Sequence, residues 1–242
     1  MIINLVKPTI FDKSKIISGV TLKNTNNLHP KGISFLETGD FSNDEIKANI
    51  DSLAHTLDIH SDLIILQTQT HSDIVRIVNN DSDVDISDAM ITNNRGIIIG
   101  ARIADCCAIL LFDKKTDTIA AIHSGWKGTE QNICRKTIEI MHSRFGCIPT
   151  DIIAYLSVCA CGTCYEVGED FKSIFPACTV KRGNDYYFDN RKMIMKQLLE
   201  AGLNVNNIEI SSECSIHNSN FHSYRRDRSE SGRMLAFIGM KN

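Results

Sequence analysis

Between residues 63 and 123 the chain passes through five short apolar segments: LIILQT from Leu63, DIVRIV from Asp73, GIIIGA from Gly96, CCAILLF from Cys106 and TIAAIH from Thr118. Their β-branched and aliphatic residues suit a pleated surface, and each segment has the length of a strand, so each predicts one. Polar, turn-forming stretches separate several of them: NNDSD before Val84, TNNRG before Ile97 and DKKTD before Thr118. A chain built this way has to form sheets.

Helices are set around the strands. Ser42 to Leu57 opens on Ser-Asn-Asp-Glu, which places Glu45 three residues after Ser42 as a capping box requires, and spaces Ile46, Ile50, Leu53 and Leu57 on one helical face. A second helix is predicted from near Thr129, with Cys134, Ile138, Met141 and Phe145 at the same spacing and a stop at Gly146 before Pro149. Cys134 is then a core thiol. Further on, the pattern predicts a strand at Ile152 to Leu156, helices near Glu169 to Phe175 and Arg191 to Ala201, and strands near Ile208 and from Met234 to Ile238. Only four prolines occur, with no low-complexity linker and no internal repeat. Grouped strands with helices between them predict an α+β fold, its helices packed over sheets, with 1–242 forming a single domain. A chain of 242 residues is long enough to bury a full core.

A net charge of -3 gives no reason to expect nucleic acid as a partner. The opening MIINLVKPTIF lacks the basic, apolar and small-residue parts of a secretory signal, and no apolar run approaches the roughly 20 residues that span a bilayer. The expectation is a cytoplasmic protein without a membrane partner. Nine cysteines, an odd number, then argue against a disulfide scaffold. Each thiol has to be buried, reactive or metal-bound.

Three segments carry metal-competent side chains at or beside strand ends, where a sheet can deliver a side chain to a cleft: QTQTHSD around His71, ARIADCCAILLF around Cys106 and AAIHSGWKG around His123. Together they supply two imidazoles and a thiolate, a set that suits Zn²⁺ and leaves a fourth position for water or substrate. Structural zinc usually draws four ligands at short local spacing; these three lie far apart in sequence, so the fold would assemble the site, as in a catalytic centre. Cys106 and Cys107 compete for the thiolate role, and in an extended strand they point to opposite faces. Cys107 shares its face with Ile109 and Leu111 and makes the better core residue.

With these segments in view, the chain resembles the YfiH-type purine nucleoside phosphorylase family, long labelled polyphenol oxidase or laccase-domain proteins. The resemblance runs in order through Gln69-Thr70-His71, Asp88-Ala89-Met90-Ile91-Thr92, Ala104-Asp105-Cys106, His123-Ser124-Gly125-Trp126-Lys127-Gly128-Thr129, Cys164-Tyr165-Glu166-Val167-Gly168, Cys214-Ser215, Ser223-Tyr224-Arg225-Arg226-Asp227 and Ser231-Gly232-Arg233. It implies zinc on His71, Cys106 and His123, and a single domain of two packed mixed β-sheets flanked by helices in αββα layers. It also implies phosphorolysis of adenosine, inosine and S-methyl-5'-thioadenosine, with adenosine deamination besides. The chain departs from the family where Ser157-Val158-Cys159-Ala160-Cys161 replaces a Gly-Pro-x-Ile-Gly segment, and where Ala108 and Lys127 stand in place of proline and arginine.

Phosphorolysis needs an anion site, for which Lys127, Arg225, Arg226 and Arg233 are candidates because cationic side chains match phosphate oxygens. Arg225 and Arg226 read equally as an ion-pair cluster with Asp227 and Glu230. Asp105 and Glu166 are candidate acid–base residues, with loop capping as their bland alternative. Trp126, the only tryptophan, either stacks on a purine or packs. CACGTC at 159 to 164 holds three thiols, Cys159, Cys161 and Cys164, and tempts a second metal site; no histidine or further cysteine pair lies close in sequence to complete it, so it reads as a substrate-side loop with incidental thiols. Two other functions compete. A copper-dependent polyphenol oxidase needs many paired histidines, and only eight His occur, with no His-x-His. A cysteine- or metal-dependent hydrolase editing peptidoglycan-precursor peptides would use Cys106 as nucleophile with a histidine base. The expected partners are a purine nucleoside and phosphate, the expected assembly a monomer or weak homo-oligomer.

Overall fold

In the computed structural model, which describes residues 2–23, 29, 31–79 and 85–242, the apolar segments form two large mixed sheets. The first runs in the order β1 (Leu5–Val6), β2 (Ile16–Thr21), β14 (Met234–Met240), β6 (Ile98–Ile103), β3 (Ile64–Leu66). The second runs β13 (Ile208–Ile210), β9 (Ile152–Leu156), β7 (Cys107–Asp113), β8 (Thr118–Ser124), β5 (Ala89–Thr92), β4 (Val75–Ile77). Pairing is antiparallel except for β3 with β6, β13 with β9 and β4 with β5. The NNDSD turn lies outside the described residues apart from Asn79.

Every residue of β7, β8 and β14 is buried, as a strand covered on both faces requires. The alternation of β7 shows how. Ala108, Leu110 and Phe112 join Ile99, Ala101, Ala236 and Ile238 in the core between the sheets. Cys107, Ile109 and Leu111 face outward onto α3 (Ile133–Phe145) and α5 (Asn190–Glu200) through Cys134, Ile138, Met141, Ile194 and Leu198. On the opposite side α1 (Asn43–Leu57) lays Leu53 and Ala54 over Ile98, Leu235 and Phe237. The result is the four-layer αββα arrangement. Each large apolar side chain so enclosed contributes about 1.5–3 kcal/mol of transfer free energy, and the outward thiols Cys107 and Cys134 behave as small core hydrophobes.

The capping box of α1 is formed by Ser42 and Glu45 as the sequence requires. The helix expected from near Thr129 is broken in two: α2 (Trp126–Glu130) ends, Asn132 takes a left-handed φ of 57°, and α3 begins at Ile133. Asparagine tolerates that conformation, and Gln197 of α5 fixes the break by donating to the carbonyl of Thr129 at 2.6 Å and to Asn132 Oδ1 at 2.8 Å. Tertiary clamping here overrides helical periodicity.

A third sheet was not foreseen. β10 (Glu166–Val167), β12 (Asp185–Phe188) and β11 (Thr179–Arg182) pair antiparallel, with Gly183 at φ 63° turning the hairpin. Beneath it α4 (Phe171–Ile174) contributes Phe171 to a small aromatic core with Phe175 and Phe188, against which Trp126 and Tyr165 pack. The last helix, α6 (Tyr224–Asp227), is a single turn capped by Ser223.

Candidate metal centre

One buried carboxylate organises the site. Asp88 sits immediately before β5 and is fully enclosed. Its oxygens accept the backbone N–H groups of Thr70 (3.2 Å), His71 (3.1 Å) and Ser72 (2.6 Å), and the Ser72 hydroxyl at 2.6 Å. The loop after β3 is thereby wrapped around an anion, and His71 is held at a left-handed φ of 59°. Asp88 Oδ1 also binds His123 Nδ1 at 2.8 Å. A carboxylate accepts only, so Nδ1 carries a proton, and when the ring is neutral Nε2 keeps its lone pair. Burial by itself would raise the Asp88 pKa, but the bonds from His123 and Ser72 outweigh it and hold the group well below the usual carboxylate range.

Cys106 stands one residue before β7, after Asp105 at φ 78°. Its Sγ lies 3.8 Å from His71 Nε2, and the rings of His71 and His123 meet edge to face with centroids 4.8 Å apart. The three donor atoms fall within 4.8 Å of one another. Burial pushes the Cys106 thiol up, yet His123 and His71 more than reverse this and bring it to about 6. His123, pushed down by burial, is raised to about 9 by Cys106 and Asp88. Cys106 and His123 thus pair as thiolate and imidazolium; with the Nε2 proton of His123 released, the three side chains are a thiolate and two imidazoles, the donor chemistry that a divalent zinc ion takes, with three protein ligands and one position over. Gly125 makes the convergence possible, since a Cβ there would stand 2.9 Å from Cys106 Sγ and 3.0 Å from His71 Cδ2.

The group lies in a cleft of about 940 Å³. Of the residues singled out in the sequence, Asp105, Trp126, Lys127, Arg225 and Arg233 line it with the triad. Asp105 is fully engaged: Oδ1 accepts from Ser215 Oγ at 2.7 Å and Oδ2 from the Arg225 backbone N–H at 2.6 Å, so it ties the 215–225 segment to the residue preceding Cys106. The guanidinium of Arg225 rests over Tyr165 and that of Arg233 over Tyr224, with Arg233 Nη1 also donating to the carbonyls of Ser231 and Gly232. Trp126 packs on Phe171 with its ring centroid 5.2 Å away, and Lys127 Nζ lies over the Trp126 ring.

Two candidates lie elsewhere. Arg226 grips Asp227 in bidentate fashion at 2.7 Å and donates to the carbonyls of Ser215, Ile216 and Phe221; with its donors so engaged it serves as a latch for the chain, not as an anion site. Glu166 is exposed on β10 and is not among the lining residues. Sequence reasoning also passed over Arg102, a lining residue whose guanidinium donates to the carbonyl of Gln67 and whose backbone is bracketed by the Gln69 amide at 2.7 and 2.9 Å. An arginine inside the apolar run of β6 was its signal. Asp88, quoted only as part of a motif, carries the centre; its signal was an acid at the mouth of a strand.

Fold and donor set together define a two-sheet αββα protein with a His2Cys group able to hold a metal at a cleft. The chain belongs to the family described as multi-copper polyphenol oxidoreductase laccase, which matches residues 32–241. It is 41% identical over 179 residues, 70% of this chain and 74% of the relative, to a purine nucleoside phosphorylase of Clostridium acetobutylicum. It is 29% identical over 211 residues, 78% of this chain and 80% of the relative, to an adenosine deaminase from an unknown prokaryotic organism. Among solved structures, YlmD from Geobacillus stearothermophilus superposes with a TM-score of 0.89 at 22% identity, covering 97% of this chain and 94% of that one, which establishes the shared fold.

Proposed function

We propose that the chain, 1–242 acting as one domain, is a zinc-dependent purine nucleoside phosphorylase that converts adenosine, inosine or S-methyl-5'-thioadenosine and phosphate to free base and the ribose 1-phosphate, with adenosine deamination as a second activity. The observation that carries this reading is the convergence of His71, Cys106 and His123 in a cleft walled by cations and aromatic rings. The names of the two relatives support the substrate class.

Zinc held by His71, Cys106 and His123 supplies a Lewis acid for an oxygen of phosphate or water. The remaining work falls to the chain itself. Asp88 keeps His123 in the tautomer whose Nε2 can bind metal and orients His71 through its backbone. Lys127, Arg225 and Arg233 give the cleft the positive charge that a phosphate dianion needs. Tyr165, Tyr224 and Trp126 offer ring faces on which a purine can stack. Asp105 acts as a positioning residue: it fixes Arg225 by its backbone and so sets where the anion rests.

A metal set of one thiolate and two imidazoles favours a single zinc over a multicopper oxidase, which needs several coppers on many histidines. Three arginines (Arg102, Arg225, Arg233) and Lys127 around the same cleft favour phosphate over a peptide substrate. The substrate is a small molecule, met in the cytoplasm by a monomer or weak homo-oligomer; among the described residues no helix is long and apolar enough to cross a membrane. The test is incubation of wild type and Cys106→Ala with the three nucleosides, with and without phosphate. Free base that appears only with phosphate, and only with wild type, is the expected result; no base and no inosine in any combination overturns the reading.

A further inference from the structure

The thiols of the 159–164 loop do not act as a unit. Cys159 is buried and points into the core beneath β7, where Arg191 donates to its sulfur at 3.4 Å. Cys161 and Cys164 turn the other way, and the fold brings Cys214 and His217 to them from more than 50 residues along the chain. The donor atoms of all four side chains lie within 4.8 Å of one another, with Cys164 Sγ 2.9 Å from His217 Nε2. The backbone on both sides is shaped for the purpose. Cys161-Gly162-Thr163-Cys164 is a tight turn closed by N–H bonds from Cys164 (2.9 Å) and Tyr165 (3.0 Å) to the Cys161 carbonyl. Cys214-Ser215-Ile216-His217 is a second turn, closed by Asn218 N–H on the Cys214 carbonyl at 3.0 Å. A parallel bridge between Cys159 and Cys214 sets the two turns side by side, and the Cys161 N–H donates to Cys214 Sγ at 3.4 Å.

We propose that Cys161, Cys164, Cys214 and His217 form a second metal site, a closed Cys3His centre for a structural zinc ion that staples the loop after β9 to the segment after β13. Two C-x2-C/H turns facing each other are the spacing of such centres, and four protein ligands leave no position for substrate. Three thiolates and one imidazole select zinc among common divalent ions through sulfur affinity and tetrahedral preference. A disulfide between Cys161 and Cys164 would use two of the four groups and leave the convergence of Cys214 and His217 without a purpose. The site also bears on the cleft. Ser215, inside the second turn, donates to Asp105, and Ala160 N–H donates to the Asp105 carbonyl at 3.0 Å, so an ion here would hold the wall that carries Arg225 and Tyr165.

The test is metal content of reduced protein purified without added metal. Wild type is expected to carry two zinc ions per chain, the cleft variant His71→Ala/Cys106→Ala one, and Cys161→Ser/Cys164→Ser one. Because the serine variant can fail to fold, the cleft variant is also stripped and titrated with Co²⁺: the expected result is one equivalent bound, with tetrahedral d–d bands and the near-ultraviolet charge transfer of several thiolates, and His217→Cys in that background keeps binding and strengthens the charge transfer. The proposal is overturned if wild type holds a single zinc that the cleft variant loses, if the stripped cleft variant binds no cobalt, if iron with acid-labile sulfide replaces zinc, or if the freshly isolated chain has the two-dalton deficit of a Cys161–Cys164 disulfide. Metal retained by the cleft variant together with loss of all turnover keeps this site and the cleft reading separately testable.

Discussion

The cleft group draws its donors from rigid places, the residue before β7, the end of β8 and a loop wrapped on Asp88, whereas Cys161, Cys164, Cys214 and His217 come from two turns joined by one bridge. The first has three donors backed by a buried carboxylate; the second has four and, among the described residues, no carboxylate hydrogen-bonded to its histidine. The difference separates reactivity from bracing. Three ligands and a charged second layer leave a coordination position and tune it, as catalysis needs, while four ligands close the sphere and contribute to folding instead.

The comparison breaks most sharply at Cys106. Cys106→Ala is expected to reduce phosphorolysis to below about one-thousandth of wild type, a loss of roughly 4 kcal/mol of transition-state stabilisation, with little change in melting temperature; initial rates of base release read it. A cleft variant that melts early but still turns over would reverse the two roles. Next comes Asp88→Asn, which takes the anionic acceptor from His123 and from three backbone N–H groups. It is expected to weaken cleft zinc by about 10–100-fold, measured by competition with a chromophoric chelator, without touching the other zinc. Smaller again is Gly125→Ala, whose Cβ would press on Cys106 Sγ and His71 Cδ2. Displacement of two ligands by a few tenths of an ångström is expected to lower cleft affinity about tenfold, given the narrow distance range of zinc bonds. Unchanged affinity would mean that the loop yields and that the centre is less rigid than its hydrogen bonds imply.

What could be read before folding follows the same division. His71, Cys106 and His123 stood out because each lies at or beside an apolar segment, and strand alternation alone favoured Cys106 over Cys107, which the structure buries among Ile109 and Leu111. The four-layer fold came from resemblance; periodicity gave strands and helices but no strand order. The second cluster escaped because Cys161 and Cys164 have no further ligand close to them in sequence. Its other half, Cys214 and His217, is delivered by the parallel pairing of β13 with β9, a long-range event with no local signal. The hairpin of β11 and β12 escaped too, since its first strand is mostly exposed and carries Lys181 and Arg182 in place of an apolar run. Arg226 misled for a related reason: an arginine pair looks like an anion site whether its donors face a cleft or, as here, the carbonyls of its own chain.

A third histidine environment supplies the smallest effect at neutral pH and a control for both groups. His222 is fully buried. It binds the Ile33 carbonyl through Nε2 at 2.7 Å and accepts the Gly232 N–H on Nδ1 at 3.1 Å, so only the neutral ring satisfies both neighbours, and Gly232 has to be glycine because a Cβ would meet the ring at 2.8 Å. Burial is the main force pushing its pKa down from 6.5 to about 4; Lys23 and Arg233 act in the same direction, and the Ile33 bond and Asp227 oppose them. The unfolded chain therefore binds a proton between these values that the folded one refuses. Stability is fully present above about pH 6.5 and is lost as pH falls toward 4, by roughly 3 kcal/mol in total. His222→Gln, which keeps a donor for Ile33 without a titrating ring, is expected to flatten the change in urea midpoint between pH 7 and pH 4.5 while leaving zinc content at pH 7 as in wild type. If the two proteins instead lose stability in parallel, the acid sensitivity belongs to the histidines and thiols of the metal groups.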